Sequence, residues 1–349
     1  MLLFCAHGIF SSVLAQQAST EGDAKTDWWD DVDGFLNQQH REMLSTVEDA
    51  LAKYPPALAE PLERKMAFLL IDAVMHEEGA SARAAVRVFL NDRTQKAVDE
   101  ITITTVSEGA RVWKLYNHGY IVKTKSATIA FDVVRGLNRR NDGFSIDEQY
   151  IQQLAALCDV LFISHRHGDH ADPYVAQAFL DAGKTVVAAN EVWRGEPIYG
   201  ALTHIPRVPH TKHTVDIGGG RQLEVVNYPG HQGSGPKDAE VDVFLVFSAE
   251  GIAMAHTGDQ SSNENDFTWI DEVYKYHHVD LFFPNCWSPE IIRMVAGFKP
   301  KLIIPGHHNE MGHTIDHREP YWLTYTRLRE ALSPFLILGW GESYQYSTK

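Results

Sequence analysis

The sequence predicts an α/β protein whose sheets are covered by helices and preceded by an all-helical segment. Three observations carry this. Residues 25 to about 98 read as helices that mix apolar and charged positions. From about residue 100, short β-branched and aromatic stretches take over, parted by turn residues. Beyond those, apolar strands alternate with helical stretches, the pattern of sheets packed against helices.

The chain opens with an apolar run, Leu2 to Leu14, that ends in small residues. It is short for a membrane span and reads as a cleaved secretory signal over residues 1–18, although no Lys or Arg precedes it. A periplasmic or secreted protein with no stable membrane association after cleavage is the expectation. The helical segment, 24–98, follows. Its first helix is stopped by Pro55-Pro56. Leu62, Met66, Leu69 and Ala73, at spacings of four, three and four, form one apolar stripe on a second helix. Gly79 ends that helix, and Ser81 can cap a third, in which Val86, Phe89 and Leu90 face inward. The remainder, 99–349, holds the strands. "EITITTV", "ARVWKLYN", "GYIVKT" and "ATIAFDVV" come first; "DVLFIS", "KTVVAA", "RQLEVVNY", "VDLFFPN" and "KLIIPG" follow with helices between them.

The 349 residues carry 31 Lys+Arg against 46 Asp+Glu, a net charge of −15. Such a surface repels phosphate backbones and argues against a nucleic-acid partner. Cys158 and Cys286, the two cysteines left after the leader, are too few for a disulfide framework and read as buried packing residues.

Chemistry concentrates in the loops just after apolar strands. "DVLFIS" leads to His165, His167, Asp169 and His170, "LEVVNYPG" to His231, "GIAMAHTG" to Asp259 and "KLIIPG" to His307. An open sheet places its site at the carboxyl ends of its strands, so these segments can meet at one edge. Three imidazoles with one open position make a catalytic zinc site, and His165, His167 and His231 can supply them. Asp169, His170 and His307 can hold a second ion, with Asp259 bridging the two. Gly168 would ease the curl that sends neighbouring ligands to different ions. His308 competes with His307, but only His307 repeats the strand-Pro-Gly-His arrangement of His231.

The ordered set "HRHGDH", "PGH", "TGD", "PGH" resembles the metallo-β-lactamase superfamily, nearest its lactonase-like and phospholipase-D-like branches, from about residue 100 to the end. The resemblance implies an αββα sandwich and a two-metal site with the ligands named above. The ions would be zinc, with manganese or iron as alternatives. It also implies that Asp132, after "IAF", supports the ligands from behind. Two such ions acidify a shared water, and Asp169, close to it by motif, can both bind metal and move a proton. The expected activity is hydrolysis of a small ester, lactone or phosphodiester through a hydroxide bridging the ions. A β-lactamase, and a non-catalytic protein with a degenerate site, are the rivals. His118, in a turn between early strands, and His308 are candidates for the substrate pocket. His313 and His317 divide between its rim and a surface loop.

Overall fold

The computed structural model describes residues 30–136, 144–233 and 238–348. The expected leader lies outside these residues. Among them, no helix is long and apolar enough to cross a membrane.

Three helices come first: α1 (Val32–Lys53), α2 (Leu62–Met75) and α3 (Ala84–Ile103). The stretch "EITITTV", expected as a strand, instead begins with the last turn of α3. Ile101 is buried within that turn and Ile103 is exposed, which is helical rather than alternating placement. Nor does Ser81 cap α3. The amide of Ala85, in its first turn, donates to Asn37 Oδ1 from α1. The largest departure is on α2. Leu62, Met66 and Leu69 are exposed by 70%, 51% and 37%, and the buried face is built from Arg64, Phe68, Ile71, Asp72 and Met75. Apolar periodicity misleads there because two of the buried positions are charged and paired. Arg64 Nη1 donates to Glu342 Oε1 at 2.7 Å, near the far end of the chain.

β1 (Ala110–Lys114), β2 (Tyr120–Lys123) and β3 (Thr128–Phe131) follow, then α4 (Glu148–Leu157), β4 (Val160–Ile163), α5 (Pro173–Asp181) and β5 (Thr185–Ala188). Asp172 caps α5 by accepting from Tyr174 N, with Pro173 in the first turn. Next come β6 (Lys212–Asp216), β7 (Gln222–His231), β8 (Glu240–Phe247), β9 (Ala253–His256), α6 (Phe267–Ile270), α7 (Val273–Tyr276), β10 (Leu281–Phe283), α8 (Ile291–Phe298), β11 (Leu302–Ile303), α9 (Tyr321–Leu328) and β12 (Ser343–Tyr346).

The strands form two six-stranded mixed sheets, ordered β12-β1-β2-β3-β4-β5 and β11-β10-β9-β8-β7-β6. β3, β4 and β5 run parallel, as do β9, β10 and β11. Alternation assigns each face. Val160 and Phe162 of β4 meet Phe244 and Val246 of β8 between the sheets. Leu161 and Ile163 point the other way, into a cluster with Phe68, Val86, Leu90, Phe179 and Trp340. Val243 and Leu245 pack outward against Ile270, Met294 and Val295. The layers are therefore helix, sheet, sheet, helix, and α1–α3 share one apolar cluster with the outer face of the first sheet. The ends of β3, β4, β7, β9 and β11 carry the residues singled out above.

Candidate metal centre

Four of the expected residues meet in one group. One ligand atom each from Asp169, His170, Asp259 and His307 lies within 4.8 Å of the others. His165, His167 and Asp259 form a second such group, so Asp259 belongs to both. Its Oδ1 is 3.2 Å from His170 Nε2 and 3.5 Å from His307 Nε2, while Oδ2 is 3.5 Å from His165 Nε2. His231 is in neither group. Its Nδ1 is 2.8 Å from Asp266 Oδ1, which leaves Nε2 as the nitrogen a cation could use.

The tautomers follow from the hydrogen bonds. Asp132, 1% exposed, accepts from Ser164 N at 2.7 Å, from Ser164 Oγ at 2.6 Å and from His170 Nδ1 at 2.7 Å. Ser164 Oγ spends its hydrogen on that carboxylate, so it accepts from His165 Nδ1 at 3.0 Å. One aspartate thereby turns both His165 and His170 to present Nε2. Supporting carboxylates of this kind commonly fix the orientation of ligating imidazoles.

Among the described residues, His170 Nε2, Asp259 Oδ1 and His307 Nε2 are buried polar atoms without a hydrogen-bond partner. Buried polar groups are normally satisfied. Three orphans converging from three strand-end segments fit a cation held among them. Electrostatics agree. Burial lowers the His165 pKa to about 3, with His170 adding to the fall against the pull of Asp259, so this ring is neutral and able to bind. Burial also opposes charge on His307, but Asp259 and Asp169 outweigh it and raise its pKa to about 9. Burial likewise works against ionised Asp169 and Asp259, yet the histidines around them hold both carboxyls below the usual range. The acidic half of the site demands positive charge, which protons can supply and a divalent ion supplies better.

Local sequence explains the placement. Gly258, at φ +49°, lets the turn after β9 pass against Ser164 and so carry Asp259 to His165 and His170. Gly168 has no such role: a Cβ there would meet nothing within 4 Å, and the curl comes from His167 O accepting the amides of His170 and Ala171. His118 and His308 are not in the substrate cavity. Both are fully buried, His118 packed on His256 with ring centroids 4.2 Å apart, and His308 bonded to Thr324 Oγ1 and stacked on Tyr321. His118 still borders the site from behind, with a ring nitrogen within 4.8 Å of ligand atoms of Asp132 and His170, and Asn117, beside it, bonds to two of the site's segments. Its Nδ2 donates to Asp169 O at 2.8 Å, and its carbonyl accepts from His307 N at 3.0 Å. The cavity over the site, about 390 Å³, is lined by Gln232, Asp259, Trp287, His313, Thr314, His317 and Glu319. Gln232 Nε2 donates to Asp259 Oδ2 at 2.9 Å. Gln232, Gln260, Asp266 and Glu319 were missed by motif reading, although three of them sit within seven residues of a motif ligand.

No family model matches the sequence, and no curated protein matches it. Solved structures do. Igni18, a metallo hydrolase from the hyperthermophilic archaeon Ignicoccus hospitalis KIN4/I, aligns with TM-score 0.52 and 15% identity over 69% of this chain and 99% of its own. A possible metal-dependent hydrolase from Veillonella parvula DSM 2008 gives 0.51 and 13% over 69% and 100%. An isothiocyanate hydrolase from Delia radicum gut bacteria gives 0.50 and 12% over 68% and 100%. At these identities the likeness concerns the fold: this chain has the αββα metallo-β-lactamase fold, shared with metal-dependent hydrolases. Its His/Asp groups lie where that fold gathers its strand ends.

Proposed function

We propose that this protein is a binuclear metal-dependent hydrolase of a small ester, lactone or phosphodiester. The observation that carries the reading is Asp259, whose two oxygens face two different imidazole groups. His165, His167 and His231 would hold one ion, Asp169, His170 and His307 the other, with Asp259 common to both. When bound, the ions polarise the scissile carbonyl or phosphoryl group and acidify water toward neutral pH.

The chain's own residues do the rest. Asp132 holds two ligand rings in one tautomer, and Asp266 holds a third. Asp169, ionised and beside the cavity floor, is placed to take the proton of the attacking water. Trp287, His313 and His317 offer one aromatic and two imidazole surfaces to a substrate that a cavity of this size limits to a small molecule.

The test is elemental analysis of protein reconstituted with zinc, manganese or iron, followed by a panel of lactones, phosphodiesters, nitrocefin and an isothiocyanate. The last is included because one structural neighbour hydrolyses that class. About two ions per chain and turnover of a lactone, ester or phosphodiester that chelation abolishes are expected. Preferred turnover of nitrocefin would replace this reading with a β-lactamase. Two bound ions with no turnover of any substrate would replace it with a non-catalytic metal-binding protein.

A further inference from the structure

We propose that Asp72, on α2 of the helical segment, is a positioning residue for His307, so that this segment is part of the frame of the metal centre. The inference rests on His307 being a metal ligand, as read above. His307 and Asn309 both adopt left-handed backbone, at φ +71° and +51°. Two non-glycine residues in that region within three positions persist only where the surroundings hold them.

Asp72 supplies much of what holds them. It is 5% exposed and accepts from Asn309 Nδ2 at 2.9 Å. The same carboxylate accepts from Tyr321 N at 2.8 Å and Trp322 N at 3.2 Å, the first amides of α9. α9 in turn fixes His308, through Thr324 Oγ1 at 2.8 Å and the ring of Tyr321 at 4.3 Å. Both residues that follow His307 are thus tied, directly or through α9, to one carboxylate outside the sandwich. On the other side, His307 N donates to Asn117 O. The ring is aimed by a backbone clamped from two directions, and one jaw is α2. The attachment of α2 to the sandwich does not need this bond, because Arg64, two turns earlier, is already anchored to Glu342 and to Ile337 O. Asp72 is therefore spent on the 307–309 segment.

The experiment is stepwise cobalt(II) titration, read by d–d absorption and by bound metal, on wild type and three variants. Asp72→Ala removes the acceptor. Asn309→Gly removes the same bond from the site's side while tolerating the left-handed backbone, so it decides the matter where Asp72→Ala does not fold. Val47→Ala opens a cavity in the same helical layer and touches none of these bonds. Expected is a roughly 10- to 100-fold weaker second ion in Asp72→Ala and Asn309→Gly, with the first ion unchanged, because outer partners of ligands contribute on that scale. Val47→Ala keeps wild-type affinity for both. Equal weakening of both ions, a second ion weakened as much by Val47→Ala, or wild-type binding by Asn309→Gly would overturn the inference. A wild type that takes up no second ion overturns the two-metal reading itself, before any variant is compared.

Discussion

Replacing Gly258 by alanine should destabilise the protein at the centre of the site without removing any polar group. A Cβ built there stands 2.5 Å from Ser164 Oγ, 2.6 Å from Ser164 Cβ and 2.8 Å from Val241 Cγ1, well inside the roughly 3.5–4.0 Å of a favourable carbon contact. Two costs add. A residue with a Cβ at φ +49° gives up about 1–2 kcal/mol. Overpacking a filled interior costs about 1–3 kcal/mol more. The sum is about 2–5 kcal/mol. Ser164 cannot move aside freely, because its hydroxyl joins Asp132 to His165. Relief by that route would release a ligand ring, so uptake of the first ion should weaken too. Gly168→Ala is the control within the same motif set. It meets nothing, and its backbone is not left-handed, so it should be neutral or stabilising by about 0.4–1 kcal/mol through the unfolded chain. The assay is denaturant unfolding of the metal-free protein beside metal titration. Gly258→Ala within about 0.5 kcal/mol of wild type, the usual span of a harmless surface change, would refute the packing argument.

Three further outcomes are expected. Asp259→Asn should lose mainly the second ion while the histidine-rich position still loads, and turnover should fall by orders of magnitude; a variant with both ions and normal turnover would show that Asp259 is not the bridge. His167→Ala should abolish activity and leave the circular-dichroism spectrum and unfolding midpoint near wild type, since the ring is on a loop and partly exposed. The pH dependence has a definite sign. Because the His307 pKa is raised from 6.5 to about 9 in the folded chain, its contribution to metal-free stability is complete below pH 6.5 and is lost as pH climbs through 9. Over the same window affinity for the second ion should rise, with proton release on binding measurable by calorimetry in buffers of different ionisation enthalpy; affinity that falls as pH rises would contradict the assignment.

The strand-end histidines and aspartates were legible in sequence because each follows an apolar run suited to an interior strand, and because four such runs could place their ends at one edge. The supporting groups were harder to read. Asp132 entered through the motif resemblance, but Asp266 and Glu319 lie in polar loops where nothing beside them marks them, and Gln260 stands next to Asp259 with a side chain that is no metal ligand. His118 drew notice as a histidine in a turn and lies beside Asp132 and His170 behind the site, while Asn117, an ordinary turn residue, makes the hydrogen bonds. The helices were foreseen, but the buried face of α2 was not. Arg64 and Asp72 look solvated in sequence, and their partners, Glu342 and Asn309, are more than two hundred residues away. Pairing at that distance leaves no periodic trace.

The Arg64–Glu342 pair also bears on the order in which the molecule can be completed. α1–α3 leave the ribosome first, yet Arg64, with no exposed surface, waits for a carboxylate 278 residues downstream. Arg93 waits for Trp340 O, and β1 for its edge partner β12. Contacts of such span are slow to form, and none of them can form on a nascent chain. Loss of Glu342 would take from Arg64 the carboxylate that grips both its Nη atoms and leave it Glu60 Oε1 at 3.4 Å and the carbonyls of Tyr54 and Ile337, at a cost of up to about 3–5 kcal/mol. The segment from Trp340 to Tyr346 thus acts as a latch on α1–α3 and β1, and its removal should behave as a folding defect.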